Sequence, residues 1–308
     1  MLRILFYLLV MPGFLLAAIA GLLSSWIDRK VTARIQWRKG PPIYQPFADI
    51  LKLLGKETFV PDKSKLAFIS APLLGLIVIP IISVMIWNAN MSASAGFIGD
   101  LMIVILLLSI PSLALIIGGS VSSNPLSALG VKREKRLFLA YELPFIIAIL
   151  TAAVKAGSIL TGKIVSHQFI VGMNIGSFSG AAAFLAALMA AQAQLGFDPF
   201  DTTEAEQEIE GGPLLEYSGM LLAAFKLTKA MLLYVLPVLL ITLFLGGIDI
   251  HSYAGVLWFI LKYVIVIALM ILIKDTNPRI RIDQAVGFFR WPMTILAIIG
   301  FVLAMVGW

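Results

Sequence analysis

Long uninterrupted apolar runs alternate with short charged segments along this chain. Set against turn-forming and charged breakers, the runs fall near 3–27, 66–88, 100–121, 137–160, 177–196, 215–245, 254–274 and 291–307. Most approach or exceed the roughly 20 apolar residues that a helix needs to cross a bilayer. Their apolar residues are continuous rather than alternating, which excludes the in-and-out pattern of a membrane β-barrel. The pattern predicts an all-α integral membrane protein with about eight transmembrane helices. The first run starts too long and ends too charged for a cleaved signal peptide, so it reads as a retained helix.

Composition sharpens this. The 308 residues are 60% hydrophobic and only 13% charged, about half the charged share of a soluble domain. There is no Cys, so no disulfide and no thiolate-held iron–sulfur cluster belongs to this chain. His167 and His251 both fall in loops on the outward side and cannot sandwich a haem between spans. No Gly-rich phosphate loop or nucleophile elbow appears. No metal site and no catalytic group are expected in this chain, and any electrons travel in another subunit.

Lys and Arg set the orientation. Arg29, Lys30, Arg34, Arg38, Lys39, Lys52, Lys56, Lys63 and Lys65 follow the first span. Lys132, Arg133, Lys135 and Arg136 follow the third, and Lys274, Arg279, Arg281 and Arg290 follow the seventh. The opposite side holds only Arg3 and Lys163. Cytoplasmic loops are thus expected near 28–65, 122–136, 197–214 and 275–290, with both termini outside, in one multi-pass domain spanning 1–308 of the plasma membrane. The net charge of +6 is mostly this asymmetry and forms no single stripe, so no nucleic-acid partner is expected.

The first loop is patterned. After Pro46, residues Phe47, Ile50, Leu51 and Leu54 fall at helical spacing, with Asp49, Lys52 and Lys56 expected to face away. This predicts an amphipathic helix lying on the membrane surface. Lipid anchoring alone would account for it. The preceding Arg29, Arg34, Arg38 and Lys39 favour a docking platform for a cytoplasmic partner.

The loop after the fifth span breaks the charge rule. It holds Asp198, Asp201, Glu204, Glu206, Glu208, Glu210 and Glu216, with no Lys or Arg. Thr203 and Glu206 have capping-box spacing. On the resulting helix Glu204 and Glu208 would share one face, and Glu206 and Glu210 another. Such crowding should raise some of their pKa values. A solvated acidic face is the plain reading, but the flanking membrane helices favour an acidic funnel for protons or sodium.

Ionisable residues at membrane depth are functional candidates, because burying charge is expensive. Glu142 lies one to two turns into the fourth span and Lys155 near its other end. The sixth span is expected to start at Glu216 and carries Lys226 and Lys229 on one face. Snorkelling to an interface explains Lys155 and Lys262 as well as any relay does. Asp100, opening the third span, reads first as a helix cap.

Four stretches carry a family resemblance: DRKVTARIQWRKGPP with QPFADILKLLGKE, then AYELP, then FDPFDTTEAEQEIEGGPLLEYSG, then NPRIRIDQ. In this order and spacing they resemble the H subunit (subunit 1) of respiratory complex I and its relatives in membrane-bound hydrogenases, from about residue 24 to 290. The segment ending in Glu216-Tyr217-Ser218-Gly219 is the most specific. The resemblance implies a tilted eight-helix bundle joining a peripheral redox arm to an ion-pumping membrane arm. It implies coupling acids at Glu142, Glu204, Glu206, Glu208 and Glu216, and a docking loop from Arg29 to Lys56 that includes Gln45. Asp198, Asp201, Glu210, Lys155, Lys226 and Lys229 join the relay as expectations from the residues themselves.

One departure matters. In quinone-reducing members a longer Gly-containing stretch precedes the Gln. Here Gly40-Pro41-Pro42-Ile43-Tyr44-Gln45 is compact, similar to the group 4 hydrogenases and their sulfane-sulfur-reducing cousins. That branch implies hydrogenase-like large and small cytoplasmic subunits, a ferredoxin-like iron–sulfur subunit and antiporter-like membrane subunits. Iron–sulfur clusters, with or without a NiFe centre, would sit in those partners. The runner-up keeps the family but restores a quinone, in a lipid-facing cavity between the first span, the sixth span and the first loop. A stand-alone transporter is disfavoured by the absence of two similar halves. A purely structural anchor leaves the charges at membrane depth unexplained.

Overall fold

A computed structural model describes residues 2–61, 64–92, 99–122, 124–203, 206–249 and 252–307, without the side chains of 2–5 and 206–207. Of the residues named above, Lys63, Glu204 and His251 lie outside this description, as do the side chains of Arg3 and Glu206. The described chain is helical throughout: α1 Leu2–Leu9, α2 Phe14–Ile35, α3 Gln45–Leu54, α4 Lys65–Met91, α5 Asp100–Val121, α6 Pro125–Ala156, α7 Thr161–Val171, α8 Phe178–Gln194, α9 Glu206–Ile209, α10 Gly219–Phe244, α11 Tyr253–Thr276, α12 Ile282–Phe288 and α13 Thr294–Val306. Among the described residues, seven helical segments are long and apolar enough to cross a membrane, and the 17-residue α8 is a shorter apolar one. The expected integral membrane bundle is therefore present.

The bundle is built around α10. Every residue from Ala230 to Phe244 is buried, and the helix packs against α2, α3, α4, α8 and α11. Lipid tails are as apolar as leucine, so close backbone approach drives this packing. A Cβ on Gly21 of α2 would stand 2.3 Å from the Ala230 carbonyl oxygen, so only glycine admits α10 there. The alanine-rich α8 plays the same part against α6 and α13, with Ala183, Ala186, Ala187 and Ala190 fully or almost fully buried.

Several helix bounds differ from those the apolar runs predict. The first span is broken between α1 and α2 at Val10–Gly13, where Pro12 has no amide to donate. The Pro12 carbonyl instead accepts from Ser83 Oγ of α4 at 2.7 Å. Beyond the break, α2 continues eight residues past the predicted end, because nothing between Asp28 and Ile35 stops a helix.

Residues 125–136, expected as loop, form the first turns of α6. Asn124 caps them by accepting from the Leu126 amide at 2.9 Å, with Pro125 at the first turn. Glu142 therefore lies near the middle of α6 rather than near its start. Residues 161–171 form α7, so His167 stands on a helix and not in a loop. Helix resumes at Ile282, not near 291, and runs through a π-helical turn at Phe289–Met293 into α13. The sixth span starts at Gly219, leaving Glu216 in the turn before it.

The predicted surface helix is present as α3. Phe47 and Ile50 are half-buried while Leu51 and Leu54 are 68% and 49% exposed. Asp49 does not face away, as expected, but turns inward to an arginine of α2.

Candidate functional site

At the end of the bundle where α2, α3, α6 and α10 converge lies a cavity of about 340 Å³. Its walls carry Asp28 and Arg29 from α2, Asp49 from α3, Glu134 from α6, and Lys226 and Lys229 from α10. Three acids and three bases thus line one space at the edge of the membrane domain.

Their pairing is specific. Arg29 Nη1 donates to Asp49 Oδ2 at 2.8 Å, and Gln45 Nε2 donates to Asp49 Oδ1 at 3.0 Å. The Arg29 hydrogen bond holds the Asp49 carboxyl below its ordinary value, against the opposing effect of burial, and Gln45 and the charge of Lys226 act the same way. Asp28 is 6% exposed and takes both its hydrogen bonds from Lys274 Nζ of α11, at 2.9 and 2.8 Å. The same ammonium sits 4.8 Å above the ring of Phe197, which itself lines the cavity. Lys274 so joins a cavity wall to the start of the acidic loop.

That loop is anchored at both ends. Gln192 Nε2 donates to the Asp198 carbonyl at 3.1 Å, and the Ile280 amide donates to the Pro199 carbonyl at 3.1 Å. At its far end Tyr217 stacks on Phe68 with centroids 4.1 Å apart and donates to the Phe68 carbonyl at 3.2 Å. Burial pushes the Tyr217 phenol up. Ser218 accepts from the Phe59 amide at 3.1 Å and donates to the Glu57 carbonyl at 3.3 Å. Gly219 adopts φ +56°, and a Cβ there would meet Thr58 Oγ1 at 2.6 Å and the Glu57 and Lys56 carbonyls at 2.7 Å. The Tyr-Ser-Gly stretch is a clasp that fixes the start of α10 to the segment after α3.

Between these anchors the expected acidic helix shrinks to the single turn α9. Glu210 lies past its end at φ +52°, exposed and outside the helix. Glu208 is not pushed up by crowding. Arg133 Nη1 donates to Glu208 Oε2 at 2.6 Å and to the Thr202 carbonyl at 3.2 Å. That hydrogen bond and the charges of Arg133, Arg279 and Arg281 hold the Glu208 carboxyl below its usual value. The loop holds no base of its own, and the fold supplies them from α6 and the α11–α12 connection.

The remaining candidates are dispersed. Glu142 is half-buried on α6, two turns or about 12 Å beyond Glu134 along the axis. Lys155 donates to Ser179 Oγ at 3.1 Å and to Ser177 Oγ at the start of α8. It stands about 20 Å along α6 from Glu142. Lys262 donates to the Gly247 carbonyl at 3.4 Å, past the end of α10. Asp100 Oδ1 accepts from the amides of Leu101 at 2.7 Å and of Thr161 at 3.0 Å, a cap serving α7 as well as its own helix. Arg34, Arg38, Lys39 and Lys52 are exposed around α3. Trp37, 97% exposed, stands among them.

Sequence reasoning missed Asp28, Glu134 and Lys274. The signal was available: Asp28 opens a basic run, and Glu134 is the lone acid in Lys132-Arg133-Glu134-Lys135-Arg136. An acid inside a positive cluster marks a place where a base needs a partner.

The fold and the cavity define a class: an integral membrane subunit whose charged end is shaped around interacting groups. The chain belongs to the NADH dehydrogenase family, whose model matches residues 6–305 and which corresponds to the H (or first) subunit of complex I. It is 33% identical to the H subunit of the NADH-quinone oxidoreductase of Dehalococcoides mccartyi over 310 aligned positions, 95% of this chain and 84% of that one. The corresponding H subunit of Brevibacillus brevis is likewise 33% identical, over 92% of this chain and 87% of its own length. Among solved structures, a chain of the membrane-bound sulfane sulfur reductase, an archaeal respiratory membrane complex, superposes with TM-score 0.87 at 30% identity, covering 99% of this chain and 100% of that one. The protein is thus a membrane subunit of a complex I-like oxidoreductase. Among its described residues no group of His, Cys, Asp and Glu is placed to hold a metal.

Proposed function

We propose that this chain is the non-redox membrane subunit of a ferredoxin-linked complex of the hydrogenase or sulfur-reductase type. It couples the cytoplasmic redox arm to proton or sodium translocation through antiporter-like subunits. The observation that carries this reading is the cavity in which Asp28, Asp49 and Glu134 face Arg29, Lys226 and Lys229, tied through Lys274 and Phe197 to the acidic loop. Charges that share a space this small act on one another, so moving one charge changes the field at the rest. Redox turnover beside the loop shifts that balance, and Glu142 with Lys226 and Lys229 hands it on. Arg34, Arg38, Lys39 and Lys52, exposed around α3, receive the cytoplasmic arm.

The likeness to the sulfane sulfur reductase chain, at TM-score 0.87 and 30% identity, supports this branch. The short connection of residues 36–44 between α2 and α3 agrees with it.

A second reading, a quinone-site subunit, draws on the same cavity. It lies between α2, α3 and α10, and Leu22, Ile50, Phe225 and Leu232 give it apolar walls for a flat ring. The two readings separate on the intact complex, purified gently and analysed for subunits, metals and bound cofactors. Iron–sulfur proteins with antiporter-like chains support the first, with nickel marking a hydrogenase and its absence a sulfur reductase. Flavin with bound quinone establishes the second, and a chain that purifies alone and moves ions in liposomes overturns both.

A further inference from the structure

A second hollow, of about 540 Å³, lies between α6 and the α12–α13 segment and shares no lining residue with the charged cavity. Arg136 and Arg290 line it together with the apolar Leu139, Leu143 and Val286. Leu139 and Leu143 are 64% and 54% exposed, so this groove opens on the outside of the bundle.

Depth places the arginines at a headgroup level. Counting about 20 residues of hydrocarbon back from Ala156 puts Arg136 at the boundary. Arg136 approaches Asp283, which sets Arg290, seven residues on, about 10 Å deeper along the helix, within the reach of a long side chain that extends back to the interface. From that level α6 and α13 both descend, carrying Leu139 and Leu143 on one side and Thr294 on the other, with the exposed Ile298 one helical turn further along α13. The π-helical turn beside Arg290 also exposes Trp291, an aromatic suited to the membrane interface. Arg136 approaches Asp283 only to 3.9 Å, between side chains 69% and 88% exposed. That is too long for a hydrogen bond, and it leaves a net positive charge at the head of an aliphatic groove.

We propose that this groove seats one anionic phospholipid of the leaflet on the basic-residue side. Its phosphate lies between the forked guanidinium groups of Arg136 and Arg290, which match phosphate oxygens in pairs. One acyl chain runs along Leu139, Leu143 and Ile298. Basic pockets between transmembrane helices on that side of a membrane are suited to anionic headgroups.

The test uses the intact complex in phosphatidylcholine vesicles doped with spin-labelled phosphatidylglycerol. The wild type should retain phosphatidylglycerol in preference to phosphatidylcholine. At about 1 kcal/mol per basic residue, the double variant Arg136→Gln/Arg290→Gln should lose roughly 25-fold of that preference. Lys163→Gln, exposed on α7 and away from the groove, should leave it unchanged. Leu143→Trp fills the groove without touching the arginines and should also weaken retention. An unchanged preference in the double variant overturns the proposal. So does complete release of the lipid by millimolar inorganic phosphate, which would make this a free-anion site, or a cross-link from Leu139 or Leu143 to the helix of a partner subunit.

Discussion

The two ends of α10 solve the problem of polar groups in a membrane in opposite ways. At its C-terminal end, Asn90 donates to Thr242 Oγ1 at 3.0 Å and accepts from the Ile248 amide at 2.7 Å. Gln168 donates to the Thr242 carbonyl and accepts from the Gly246 amide, at 2.9 and 2.8 Å, while Asn174 donates to the Leu243 carbonyl at 2.8 Å. Neutral amides from α4, α7 and the turn before α8 close off the helix end, each with defined partners. At the N-terminal end the groups are charged, the partners come in pairs that share a cavity, and Lys226 is exposed to it. A neutral capped end has one low-energy arrangement. A set of charges sharing one cavity can exchange partners, which is the property the proposed coupling role draws on.

The largest effect that would break this contrast is at Lys274. Lys274→Met leaves Asp28 buried without its base and should cost about 3–5 kcal/mol, seen as an early thermal transition of the purified complex. Adding Asp28→Asn should restore most of the loss. If the single variant unfolds like the wild type, Asp28 has another counter-ion and the joint to Phe197 is not structural.

A smaller effect is expected at the capped end. Asn90→Leu orphans the Ile248 amide and should destabilise by roughly 1–3 kcal/mol in the same assay, with ion transport per electron unchanged. Lost coupling at normal stability would erase the distinction between the two ends.

The smallest effect is the tether of α3. Because the folded Asp49 carboxyl sits below its ordinary value of 3.8, its pairing contributes fully above that value and is lost as pH falls through the lower folded one. With Arg29 and Asp49 side chains 47% and 35% exposed, the pair is worth under about 1 kcal/mol. The hydrogen-exchange protection of α3, relative to the unfolded chain at the same pH, should fall only below about pH 4, and Asp49→Asn should remove that acid sensitivity.

How much was legible in the sequence follows from what each feature depends on. Spans are set by local composition, so the bundle and the surface helix could be read directly. Helix ends depend on single residues: Asn124 and Pro125 start α6 twelve residues before its apolar stretch, and Pro12 splits a run that hydropathy sees as continuous. The acidic loop misled because its bases are distant in the chain. Arg133 meets Glu208 across 75 positions, and Lys274 meets Asp28 across 246. Asp49 turned inward for the same reason, since periodicity assigns a face but not the counter-ion waiting on it.

Glu142→Gln removes an ionisable group from the proposed relay while keeping a hydrogen-bonding side chain of the same size. Ions moved per electron pair would be recorded in inside-out membrane vesicles driven by reduced ferredoxin. The account predicts an assembled complex that still reduces its acceptor while the ion gradient falls at least tenfold. A full gradient at normal electron flux would contradict it.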